Sequence, residues 1–232
     1  MSTDWLIVVH CCYEPDEKPA ADTVLDWLFD YGCYSGPDGG RDTCRYFGKE
    51  SATAGDYAPV EDALEQLIAG HAHIKLQLDE LEFRYQNWED LDGVPELPYY
   101  SFQIREADFA PMPTEEAARA RVRTFVDMIA TFADETGVFY GFGTQGAGEF
   151  QSHRQDADKL LAGEFQKLFW FNYFSETLVD GVGRERVLST PAHRIEERTD
   201  GAVLLVLSPN PHPRVNQNGG PTDMQAERHL DL

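Results

Sequence analysis

The 232-residue sequence predicts an α+β fold: a mainly antiparallel sheet with two long helices packed on one face, in a single domain over residues 1–210. Three observations carry this expectation. Several short stretches alternate apolar and polar residues, as strands with one buried face do. Short polar turns join them, which favours hairpins over parallel crossovers. Two longer stretches, opening at Thr114 and Asp156, carry apolar residues at helical spacing. No internal repeat or linker divides the chain. Beyond residue 210 the sequence is polar and rich in Pro and Gly, so 211–232 is expected to be a loosely ordered tail.

Trp5–Val9 is a continuous apolar run with β-branched residues, the pattern of a strand covered on both faces. Val24–Tyr31 follows two candidate N-caps, Asp22 and Thr23, and stops at Gly32, which predicts a short helix. Ser35–Tyr57, rich in Gly, Asp and Ser, predicts a loop. Val60, Ala63, Leu64, Leu67 and Ile68 predict a helix closed by Gly70. Ile74, Leu76 and Leu78 alternate, then the phase slips to Leu81, Phe83 and Tyr85, as a β-bulge at Asp79-Glu80 would produce. Tyr100, Phe102 and Ile104 supply a partner strand after the loop Asn87–Pro98. Thr114 caps the clearest helix, whose stripe Val122, Phe125, Val126, Ile129, Phe132 and Ala133 ends at Gly137. Val138–Phe142 predicts a strand, and 156–171 a second long helix with a buried end. Ser175 opens a short helix through Val179. Ala192–Arg198 and Ala202–Leu207 predict a hairpin turning at Asp200-Gly201, a type I′ signal.

Composition narrows the function. Hydrophobic residues make up 42% of the chain, enough for a real core. No apolar run approaches the roughly 20 residues of a membrane span, and no signal-peptide pattern opens the chain, so a cytoplasmic protein is expected. Against 41 acidic residues stand 14 Arg and only 5 Lys, a net charge of −22. Acids dispersed along the whole chain fit a protein kept soluble in concentrated salt; an acidic face for a basic partner is the other reading. The sequence shows no basic stripe to neutralise phosphates, so nucleic acid is not an expected partner.

Candidate chemistry is thin. Gly141-Phe-Gly-Thr-Gln-Gly146 matches a dinucleotide-binding fingerprint, but no helix opens at the third glycine, so a flexible turn is expected and no cofactor. Cys11, Cys12, Cys33 and Cys44 lack the C-x₂₋₄-C spacing of zinc knuckles, and adjacent thiols on a strand point to opposite faces. Buried reduced thiols are the leading reading, with zinc or a Cys33–Cys44 disulfide left as alternatives. His71 and His73 fall on one face of a strand without a third ligand nearby, and His153 and His193 have no adjacent nucleophile. No metal or catalytic residue is therefore assigned. The cluster Phe169, Trp170, Phe171, Tyr173 and Phe174 reads as core, with Tyr173 as its exposed member.

The stretch Leu168–Pro211 resembles the C-terminal signature of toxin-immunity proteins of the immunity protein 52 type, related to type VI secretion immunity families. Trp170, Tyr173, Gly183, Arg184, Glu185, Arg186, Leu188, Pro191, Ala192, Arg194, Glu196, Glu197, Asp200 and Gly201 carry the resemblance. It implies a single α+β domain that binds and neutralises a cognate protein toxin without catalysis. Most of the matching residues look architectural, with Arg and Glu pinning the hairpin to a helix. Specificity is then expected in loops outside the signature, where Asp42, Tyr46, Trp88, Glu89, Asp90 and Asp92, with Tyr173, supply acids and aromatic anchors. Two other readings stand beside it: a small-molecule enzyme with a pocket near the Gly141–Gly148 loop, and a housekeeping or structural protein of a halophile or its virus.

Overall fold

In the computed structural model, which describes residues 6–36, 40–48, 57–69, 72–88, 97–110, 113–145, 156–211 and 223–232, the first apolar run is strand β1 (Leu6–Cys12). It lies inside one ten-stranded sheet. The other strands are β2 (Thr43–Gly48), β3 (Tyr57–Pro59), β4 (Ala72–Leu78), β5 (Leu81–Trp88), β6 (Tyr99–Arg105), β7 (Tyr140–Gln145), β8 (Phe171–Phe174), β9 (Arg194–Glu197) and β10 (Val203–Val206). Their order is β3-β2-β4-β5-β6-β1-β7-β8-β10-β9, and every neighbouring pair is antiparallel. The predicted α+β class with an antiparallel sheet is what the chain adopts.

Helices α1 (Ala21–Tyr31), α2 (Val60–Ile68) and α3 (Glu115–Thr136) pack on one face. Their buried side chains form a single core with Ile7, Val9 and Cys11 of β1, Leu76 of β4, Phe83 and Tyr85 of β5 and Phe102 of β6. Four shorter helices, α4 (Ala157–Leu161), α5 (Glu176–Val182), α6 (Arg184–Leu188) and α7 (Asp223–Leu230), contribute to a second core on the opposite face. That core holds Cys12, Tyr140, Phe142, Phe174, Val203 and Leu205, so the sheet is covered on both sides around β1, β7, β8 and β10, with Tyr99 of β6 at its margin. Within the stretch read as a polar tail, α7 buries Ala226 and Leu230 in this second core; residues 212–222 lie outside the described residues.

The strongest local signals translate directly. Thr114 caps α3, its Oγ1 accepting from the Ala117 N–H at 3.1 Å, and Gly137 closes the helix in the left-handed region. The whole predicted stripe from Val122 to Ala133 is buried. Thr114→Ala removes a cap worth about 1 kcal/mol. For a domain of this size, differential scanning calorimetry should then show a melting temperature lower by roughly 2–4 °C.

Other expectations are corrected, each for a local reason. The phase slip at Asp79-Glu80 is a two-residue turn, not a bulge: Leu78 faces Leu81, and Asp79 takes a φ of 51°. The apolar sets of β4 and β5 therefore lie on one face, Ile74 opposite Tyr85 and Leu76 opposite Phe83. Within Ser35–Tyr57 the chain forms β2 and begins β3, which pair at the sheet edge; residues 37–39 and 49–56 lie outside the described residues. The first helix begins at Ala21, so Asp22 sits in its first turn instead of capping it. Gly70 and His71 lie outside the described residues, and α2 ends on Ala69.

The second long helix is absent. Asp156 does cap a helix, its Oδ1 accepting from the Lys159 N–H at 3.2 Å, but α4 stops after five residues and Gly163 turns the chain at a φ of 83°. The aromatic run then becomes strand β8, with Phe171 and Tyr173 in one core and Phe174 in the other. Apolar residues on every side mark a strand between two cores here, not the buried helix end that the pattern predicts. The final hairpin turns where predicted: Asp200 (φ 57°, ψ 27°) and Gly201 (φ 78°) both lie in the left-handed region, as a type I′ turn requires.

Candidate functional site

One end of the sheet carries an acidic cleft. The row Trp88, Tyr99, Cys12, Tyr140, Phe174, Val203 and Glu197 crosses the sheet strand by strand at that end. Beyond it the chain emerges in four places: the turn after β1 with Glu14 and Glu17, the end of α3 from Ala133 to Gly137, Ser175-Glu176 after β8, and the hairpin tip Thr199–Ala202. These segments enclose a cleft of about 390 Å³.

Its carboxylates come from five positions distant in sequence: Glu14, Glu17, Asp134, Glu176 and Asp200. Four of them are exposed at the rim. Asp134 lies deeper, where the Tyr173 hydroxyl donates to Oδ1 at 3.0 Å and the Arg198 guanidinium donates to Oδ2 at 2.6 and 3.0 Å. Arg198 also reaches Glu196, which Arg194 grips with two nitrogens while binding Asp127 of α3. Hydrogen bonding from Arg194 holds the Glu196 carboxyl below the usual carboxylate range. This chain of guanidinium–carboxylate contacts fixes edge strand β9 to α3. Burial, reinforced by Asp134, pushes the Tyr173 phenol well above its ordinary range, so it stays a proton donor at every physiological pH.

Chemically, the cleft accepts: its rim presents carboxylate oxygens to ammonium or guanidinium donors. Among the described residues no His, Cys or Lys lines it. Among the described residues no three His, Cys, Asp or Glu side chains converge as metal ligands. The four cysteines are buried free thiols, with Cys11 and Cys12 in opposite cores, and burial raises the pKa of each. Among the described residues no helix is long and apolar enough to cross a membrane.

The glycine fingerprint is not a turn. Gly141 and Gly143 lie in β7, where neighbouring side chains leave no room for a Cβ: one at Gly143 would stand 2.6 Å from Trp170 Nε1, and one at Gly141 3.0 Å from Tyr173 Cβ. None of residues 141–145 lines the cleft, and 146–148 lie outside the described residues.

The predicted partner-binding residues are dispersed. Tyr173 is buried, 3% exposed, and meets the cleft, which corrects its expected exposure. Trp88 ends β5 at the cleft end of the sheet. Asp42 is exposed just before β2, whose first residues align with the far ends of β4 and β5, so it stands at the opposite end from Trp88. Tyr46 is half-buried against the α1–α3 core. Glu89, Asp90 and Asp92 lie outside the described residues, as does His153, while His193 is exposed. The acids that do converge are hidden among the chain's 41 acidic residues, because four separate connections bring them together. Within the C-terminal stretch, Arg184 is architectural: it donates to Glu197 at 2.7 Å and to the Gly201 carbonyl at 3.0 Å, tying α6 to the hairpin.

A single-sheet α+β protein with an acidic cleft at one sheet end is thus the class that fold and site define. Its structure is similar to that of Pseudomonas aeruginosa T6SS protein PA0821, with a TM-score of 0.50 and 10% identity, over 98% of this chain and 72% of that one. At that identity the likeness is one of fold. No family model and no curated protein matches the chain.

Proposed function

We propose that this protein is a non-catalytic binding protein of toxin-immunity type, which neutralises a cognate toxin by covering a basic part of its surface. The acidic cleft carries the reading: four exposed carboxylates ring a concave site about 390 Å³ in volume. Charge complementarity of this kind speeds encounter and selects against wrong partners. The fold likeness to a T6SS protein and the resemblance of residues 168–211 to immunity proteins support the same reading. Trp88, which ends β5 at the cleft end of the sheet, belongs to the proposed partner surface. Asp42 and Tyr46 belong to a separate, peripheral contact. The acid-rich composition adapts the protein to high salt, in a cytoplasmic setting.

Capture of a partner from native cell extract at high salt tests this. A variant carrying Glu14→Gln, Glu17→Gln, Glu176→Gln and Asp200→Asn should retain at least tenfold less of a basic protein than the wild type does. Its melting temperature should stay within a few degrees, because these rim charges are exposed. Equal retention by both baits would remove the cleft from the interface.

A further inference from the structure

The acidic cleft divides into an apolar floor and a charged rim. Ala133, Val138, Phe139 and Ala202 line the floor, all of them buried. Glu14, Glu17, Glu176 and Asp200 stand exposed at the rim. Glu14, Glu17 and Asp200 form no ion pair and no side-chain hydrogen bond with the described residues. Glu176 lies 3.7 Å from Arg184 and keeps 62% of its side chain exposed, so that one contact leaves lone pairs open. Asp134, deeper in, is by contrast already engaged by Tyr173 and Arg198. The available charge therefore lies above an apolar floor.

A second, independent observation comes from the wall. Ser175 lines the cleft, and its hydroxyl oxygen is buried without a hydrogen-bond partner among the described residues. Ser175 holds the N-cap position of α5, where a serine oxygen ordinarily accepts from a backbone N–H two or three residues on, yet it makes no such bond. A buried hydroxyl left unpaired is costly, and a group brought from outside the chain can satisfy it. The carboxylates around it only accept, so what the site lacks is a donor.

We propose that the cleft seats one arginine side chain of the partner, a reading that rests on the cleft being the partner-binding surface. The methylene stem covers the apolar floor, as long basic side chains cover apolar surface elsewhere. The guanidinium spreads five donors in one plane, enough to reach Ser175 Oγ and several rim carboxylates together. An ammonium offers three donors from a single, more strongly hydrated point. A cleft of about 390 Å³ holds a long side chain and some of its backbone but no folded element, so the occupant is an arginine presented at a loop tip.

Amide NMR titration of the full chain with the peptide acetyl-Gly-Arg-Gly-amide tests the proposal, beside its lysine and citrulline analogues and free spermidine. The arginine peptide should give saturable shifts at Gly137, Ser175 and Asp200. The citrulline analogue, similar in shape but uncharged, should bind at least tenfold more weakly, and the lysine analogue at least threefold. Ser175→Ala should weaken the arginine peptide at least threefold, and the quadruple rim variant at least tenfold. Because the Ser175 hydroxyl has no partner within the described chain, Ser175→Ala should melt at or above the wild-type temperature, which separates lost recognition from lost folding. A control that removes the same charge from α2 and α3, Glu61→Gln/Asp62→Asn/Glu65→Gln/Glu116→Gln, should bind the peptide as the wild type does. Equal weakening in that control would mean diffuse attraction to an acidic chain and would overturn the proposal. So would absent binding, unchanged binding by Ser175→Ala, or a lysine analogue that binds as tightly. Tighter binding of spermidine would overturn it too, since the ligand would then be a free polyamine. Rim-dependent capture of a basic protein without arginine-peptide binding would remove the arginine seat alone; loss of both would remove the cleft as a partner surface.

Discussion

Acidification from pH 7 to pH 5 is expected to cost this protein about 2 kcal/mol of stability through His10 alone. His10 lies in β1 at 6% exposure, between the rings of Tyr99 and Phe142 at 5.3 and 4.9 Å. Burial lowers its pKa to about 3, far below the 6.5 of an exposed imidazole. The sign follows from proton counts. Between those two values the unfolded chain binds a proton that the folded chain refuses, so stability is full above pH 6.5 and falls as the pH drops. His73, lowered to about 4 by burial and then by Arg84, adds a smaller loss because it is partly open to solvent. Protonation of the many carboxylates relieves their repulsion and opposes this, but mainly below about pH 5. Denaturant unfolding at half-unit steps from pH 7 to 5 should show the decline, and His10→Phe should flatten it. A wild-type stability independent of pH over that range would contradict a buried neutral His10.

Asn172→Leu should cost about 2–5 kcal/mol. Asn172 is fully buried in β8, where Oδ1 accepts from the Phe169 N–H at 2.9 Å and Nδ2 donates to the Phe169 carbonyl at 2.6 Å. The side chain thus closes the bend by which the chain enters β8. Nδ2 also approaches the Leu205 carbonyl of β10 at 3.4 Å. Leucine keeps the branched shape but leaves a buried donor and a buried acceptor without partners, at about 1–3 kcal/mol each. Chemical denaturation of the variant should show a reduced midpoint. A midpoint equal to that of the wild type would mean that water or a shifted backbone satisfies these groups.

How much of this was legible in the sequence depends on range. Helix α3 was readable because its cap, apolar stripe and closing glycine all lie within one continuous segment. The final hairpin was readable because Asp200-Gly201 fixes both strands from a single turn. β4 and β5 were found, but the same two-residue break in period fits a bulge or a tight turn, and only the pairing of Leu78 with Leu81 decides. The run from Leu168 to Phe174 defeated local reading because a strand buried on both faces loses its alternation and looks like a helix core. Asn172 was the one polar residue in that run and marked the bend. The cleft was the least legible feature. Asp134 sits beside the apolar stripe of α3, and nothing near it in sequence points to Arg198, Tyr173 or Glu14.

Growth rescue tests the central claim most directly. The basic protein captured by the wild type would be expressed alone, with this chain, and with the quadruple cleft variant. The account predicts arrested growth when the captured protein is made alone, restored growth with the wild type, and arrest again with the variant. Normal growth in the first case, or full rescue by the variant, would contradict it.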